Sequence, residues 1–114
     1  MTSIIHHWIN GEPQPSTTER YGDVFNPATG EVSASVSMGN SDDLNKAVES
    51  ASKAFETWSQ TSVTKRAQIF FKYKELLETN REELIELITK EHGKVASDAA
   101  GSLQRGIEVV DFVC

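Results

Sequence analysis

The sequence predicts a mainly helical chain, four helices behind a short N-terminal region of β-strands and hairpins, and three observations carry that expectation. Apolar residues alternate with period two only before Gly39, and from Leu44 onward they recur at three- and four-residue steps. Asn-Gly, Asn-Pro and single glycines fall where the chain has to turn. Residues 1–39 therefore read as strands and turns and residues 40–114 as helices. A chain of 114 residues supports one core at most.

Trp8 and Ile9 lead into Asn10-Gly11, a pair that tolerates positive φ at both positions and predicts a tight hairpin turn. Pro13 and Pro15 then remove backbone donors, so the returning strand is short or lies at an edge. Residues 16–22 read as polar loop. Val24 and Phe25 precede a turn over residues 26–30, and Val32, Ala34, Val36 and Met38 alternate with serines as a half-buried strand does.

The first helix carries Leu44, Ala47, Val48, Ala51, Ala54, Phe55 and Trp58 on one face, with Asn40 or Ser41 as N-cap and Asp42 and Asp43 at its positive end. The second starts near Ser62 with Ala67, Ile69, Phe70, Tyr73, Leu76 and Leu77 inward. Asn80 and Glu83 have capping-box spacing and open the third, which contains Leu84, Ile85, Leu87 and Ile88. Gly93 suits a left-handed stop, with Lys90 and Lys94 at the negative end. From Val95 a fourth helix presents Ala99, Leu103, Gly106, Ile107, Val110 and Val113 on one side. No apolar run is sheet-like enough to form a layer that these helices could cover. Either they pack on each other or the sheet lies elsewhere, and the apolar run 109–113, with no stop signal before Cys114, favours a cut chain.

The net charge of −6, without a basic block, argues against nucleic acid or an anionic membrane as partner. The N-terminus lacks the cationic and apolar regions of a signal peptide and no run of 18 apolar residues occurs, so a cytoplasmic or matrix-like location is expected. One cysteine excludes an internal disulfide. No glycine pattern of the dinucleotide or P-loop kind is present. His6 and His7 point to opposite faces of an extended segment and His92 is remote, so no metal site is expected. Thiols become nucleophilic beside a base or at a helix N-terminus, whereas Cys114 closes a helix. The carboxylates of Asp42, Asp43, Glu82, Glu83 and Glu86 read as capping and surface charges.

Arg105 stands apart. It lies one residue, about 100°, from the Gly106, Ile107 and Val110 side, where its stem could follow apolar surface and its fork meet a carboxylate in two-point fashion. By pattern alone a surface ion-pairing arginine is the plainer reading.

Four segments, WINGE at 8–12, VFNPATGEV at 24–32, AFETWSQ at 54–60 and KRAQIFFKYKELLETNREELIELITKEHGK at 65–94, together resemble the N-terminal part of the aldehyde dehydrogenase superfamily. GSLQRGIEVVDFVC at 101–114 is similar to its CoA-acylating methylmalonate-semialdehyde (malonate-semialdehyde) dehydrogenase branch, which usually has an acidic residue in place of Ser102 and often Val in place of Leu103. The resemblance implies an α/β aldehyde dehydrogenase fold in the full enzyme, with residues 1–114 a partial N-terminal portion of its NAD-binding domain. It implies that a cysteine thiol adds to the semialdehyde, hydride passes to NAD, and the acyl group goes to coenzyme A with loss of CO2, giving propionyl-CoA or acetyl-CoA. Arg105 matches the branch's arginine for the substrate carboxylate, whereas the catalytic and NAD-binding positions fall beyond Cys114. A fragment, inactive and binding neither NAD nor coenzyme A by itself, is therefore expected, from a parent that is a homo-oligomer, dimer or tetramer. A non-acylating enzyme of succinate-semialdehyde type and a free-standing helical interaction module are the alternatives.

Overall fold

The structure, a computed structural model, describes residues 3–16 and 18–114. The chain divides into two units, residues 1–60 and 61–114.

In the first unit, β1 (Ser3–Ile5), β5 (Val32–Ser37) and β4 (Tyr21–Phe25) form a three-stranded sheet in that order. β1 runs parallel to β5, Ile4 opposite Ser35, and β4 runs antiparallel to it, Asp23 opposite Ser35. A second sheet pairs β2 (His7–Ile9) with β3 (Glu12–Gln14). Its turn has Asn10 at φ 57° and Gly11 at φ 80°, the positive pair that lets a two-residue hairpin follow the right-handed twist of its strands. Pro13 is tolerated because β3 is an edge strand with a single partner.

Two strand expectations need correction. Tyr21 and Gly22 belong to β4 rather than to a polar loop, because Ser37 and Val36 pair with them. Met38 stands outside β5, exposed, with its N–H donated to the Arg20 carbonyl at 2.9 Å. β1 was not anticipated from its sequence at all.

α1 (Ser41–Trp58) starts at Asn40, whose side chain accepts from the N–H groups of Asp42 and Asp43, while the Asp43 carboxylate accepts from the Asn40 N–H. The helix is amphipathic as expected, but Leu44, Val48 and Phe55 remain exposed. Among the described residues of this unit, those classed as buried are Ala34, Ser37 and Asp43, two of the three polar.

The second unit consists of α2 (Val63–Thr79), α3 (Arg81–His92) and α4 (Ala96–Val113). Ser62 caps α2 through its hydroxyl. The Asn80 capping box does not form: the Asn80 amide turns back and donates to the Leu76 carbonyl at 2.8 Å, so this residue closes α2. The Leu76 carbonyl thus accepts both the Asn80 N–H, at 3.0 Å, and the Asn80 side-chain amide, which leaves that side chain turned away from the start of α3. Gly93 ends α3 at φ 83°, its N–H donated to the Thr89 carbonyl, in a conformation that a β-carbon disfavours.

α4 packs on α2 and α3 through Ala99, Leu103 and Ile107, four residues apart and therefore on one stripe. Ile85 completes the core, with Leu77, Leu84, Ile88 and Ala100 around it. The inner face expected for α2 is only partly used, since Ile69, Tyr73 and Leu76 are exposed.

Candidate functional site

Gly93 turns the chain out of α3, and Val95, with no side chain able to cap, opens α4. Lys94 lies between them, half-buried, and its Nζ donates to Ser102 Oγ at 2.9 Å. One turn further on, Arg105 Nη2 reaches the same oxygen at 3.4 Å. The connector and the first three turns of α4 thus bring a lysine, a serine and an arginine together.

Arg105 does not lie along the buried side. The core stripe is Ala99, Leu103 and Ile107, and Arg105 is two residues, roughly 200°, from both Leu103 and Ile107. It is exposed on the outer face of the helix, as are Val109 and Phe112, the latter 90% exposed. A β-carbon at Gly101 would stand 3.9 Å from Arg105 Nη1, an ordinary contact that places this helix position beside the fork. Among the described residues neither Arg105 nor Lys94 has a carboxylate partner, whereas Lys72–Glu75, Lys74–Asp111 and Arg81–Glu78 are ion pairs of this unit. The surface ion-pairing reading of Arg105 is therefore not what the structure contains. Lys94, read from the sequence as a helix-end charge, does follow the Gly93 cap, and it also reaches Ser102 eight residues on, across a helix start, a contact the sequence reading did not include.

A second polar cluster lies in the first unit. Asp43, 6% exposed, accepts from Ser16 Oγ at 2.5 Å and from the Asn40 N–H at 3.2 Å, and His7 Nε2 is 3.8 Å from the same carboxylate oxygen. Its hydroxyl and carboxylate are engaged with each other and with the helix cap, which makes the cluster a tie between β2, Ser16 and α1. A groove of about 480 Å³ nearby is lined by Ile9, Asn10, Gln14, Lys46, Glu49 and Lys53.

The free thiol of Cys114 is at the end of α4, its N–H donated to Val110 and Asp111 carbonyls. Among the described residues no group of three His, Cys, Asp or Glu could hold a metal, and no helix is long and apolar enough to cross a membrane. Gly11 and Gly30 are turn glycines with nothing within 4 Å of a β-carbon position, and Gly101 and Gly106 lie within α4 rather than in a phosphate-binding loop.

The model of the aldehyde dehydrogenase family matches residues 14–114. The chain is 50% identical over 108 residues to the malonate-semialdehyde dehydrogenase of Bacillus velezensis, covering 95% of this chain and 22% of that protein. The Pseudomonas aeruginosa protein of the same name is 46% identical over 110 residues, covering 96% and 22%. Among solved structures, a Sinorhizobium meliloti protein assigned as a methylmalonate-semialdehyde dehydrogenase and crystallised with NAD superposes with a TM-score of 0.94 at 42% identity, covering 98% of this chain and 23% of that one. The chain thus spans about a fifth of the length of the relatives it matches.

Proposed function

The chain belongs to the aldehyde dehydrogenase family, and on that premise we propose that it is an N-terminal portion of the NAD-binding domain of a semialdehyde dehydrogenase, in which Arg105 binds the substrate carboxylate. One observation carries the residue assignment: an exposed arginine beside a glycine, on an outer helix face, with no carboxylate partner among the described residues. A planar fork in that state offers two parallel N–H donors, which is what a carboxylate accepts. The relatives' names support malonate or methylmalonate semialdehyde as the substrate class.

The proposed reaction is NAD-dependent oxidation to an acyl group that passes to coenzyme A, with the substrate carboxylate lost as CO2. NAD, coenzyme A and the nucleophilic thiol are assigned to residues other than those of this chain. The contribution of residues 1–114 is to bind and orient, with Arg105 holding the acidic end of the substrate. The same reading makes the enzyme a cytoplasmic homo-oligomer. Apolar residues left exposed on α1 and α2 are then available for burial against the rest of the protein.

Two measurements on the full-length enzyme test this. Product analysis with and without coenzyme A is expected to give an acyl-CoA; a free acid formed equally well without it would point to the non-acylating succinate-semialdehyde type. Arg105→Ala is expected to lower kcat/KM for a carboxylated semialdehyde roughly a hundredfold more than for an uncharged aldehyde of similar length. Equal losses for both would refute the assignment of Arg105.

A further inference from the structure

We propose that Lys94, Ser102 and Arg105 form a single three-donor cradle for the substrate carboxylate, with Lys94 as its second cation and Ser102 as the residue that positions both. This rests on the reading of Arg105 as a carboxylate ligand.

A serine hydroxyl has two acceptor lone pairs and one proton. At Ser102 the lone pairs are taken by Lys94 Nζ at 2.9 Å and Arg105 Nη2 at 3.4 Å. Ammonium and guanidinium carry no acceptor, so the hydroxyl proton has nothing to bond within the cluster and is left for an outside oxygen. Two further protons of the ammonium and four of the guanidinium are likewise unused by these contacts. The group is all donor on its open side.

Charge points the same way. Two cations share one neutral oxygen, and among the described residues no carboxylate is bonded to either. Their mutual repulsion is relieved when an anion enters. Lys94 is half-buried, which fixes its ammonium near Ser102 instead of leaving it free in solvent. The Arg105 contact is long, so the guanidinium can turn toward a carboxylate at little cost.

The ligand that fits has an anionic, planar end with two oxygens. One oxygen can take the Arg105 fork, and the other the Ser102 hydroxyl and the Lys94 ammonium.

The test is steady-state kinetics of the full-length enzyme on a carboxylated semialdehyde and on an uncharged aldehyde of the same chain length. Lys94→Met is expected to raise KM for the carboxylated substrate about tenfold or more relative to the uncharged one, with a much smaller change in kcat. Lys94→Arg should restore most of the difference, because it returns the charge. Ser102→Ala should shift the same ratio several-fold, and it carries the test alone if Lys94→Met does not fold. Lys72→Met, which removes an exposed lysine paired with Glu75, is the control and should leave both substrates unaffected. The proposal is overturned if Lys94→Met and Ser102→Ala leave the ratio unchanged or raise both KM values alike while Arg105→Ala remains selective. If Arg105→Ala is itself unselective, the reading of Arg105 falls as well.

Discussion

Replacing Asp43 with alanine should loosen the start of α1 by an amount that can be worked from its contacts. The carboxylate accepts hydrogen bonds from Ser16 Oγ and from the Asn40 N–H, the two contacts weighed below, and the residue is 6% exposed. Bonds to a charged group contribute about 1.5 kcal/mol each at the low end of their range, so their loss costs roughly 3 kcal/mol. Alanine returns roughly 0.5 kcal/mol through its better helix propensity. The remaining 2.5 kcal/mol or so corresponds to roughly 50-fold faster opening of the first turn. Native-state hydrogen exchange at Leu44, whose N–H donates to the Asn40 carbonyl at 3.1 Å, reads this locally. Asp43→Asn keeps an acceptor oxygen and should accelerate exchange only about fivefold. The reasoning fails if Asp43→Ala changes protection at Leu44 by less than about threefold. It also fails if exchange rises equally in α3 and α4, for then the effect is not that of a cap.

Ile107 is 1% exposed and Phe112 is 90% exposed on the same helix, so truncation to alanine should separate them. Ile107→Ala is expected to cost about 2–4 kcal/mol in urea unfolding monitored within residues 61–114, and Phe112→Ala less than about 0.5 kcal/mol. A larger cost at Phe112 would mean that its face is covered in solution. Lys74 has its pKa held above lysine's ordinary 10.5, chiefly by its hydrogen bond to the Asp111 carboxylate. A raised folded-state pKa contributes stability that is fully present below 10.5 and is lost as pH rises through the folded value, so the α2–α4 tie should weaken only in strong alkali. Asp111→Asn should bring the Lys74 titration, followed by nitrogen NMR, down toward 10.5, and an unchanged value would contradict the pairing.

Parts of this molecule are written locally. Asn10-Gly11, Asn40 before Asp42 and Asp43, Ser62 and Gly93 each act through their own φ or a side-chain bond to a backbone group within three residues. For that reason the hairpin, the helix starts and the helix stop were legible without any coordinates. The four helices followed from their apolar period, and the family from motifs spread over most of the chain. At the site, the sequence and its resemblance singled out Arg105 and the type of group it would bind.

Tertiary structure decided what depends on distant or competing partners. β1 exists because residues 3–5 pair with residues 34–36, and three residues carry too little pattern to announce such a pairing. Asn80 had the spacing of an N-cap, yet its amide turned back to the Leu76 carbonyl of α2. The apolar residues of α4 span more of its circumference than one neighbour can cover. Only packing on α2 and α3 selected the Ala99, Leu103 and Ile107 stripe and so turned Arg105 outward. The turn at Gly93 then laid Lys94 alongside α4, against Ser102. Sequence determined which groups this protein has and where its helices begin and end. Which groups meet was settled by the packing of those helices, because a contact between residues in different elements has no local signature.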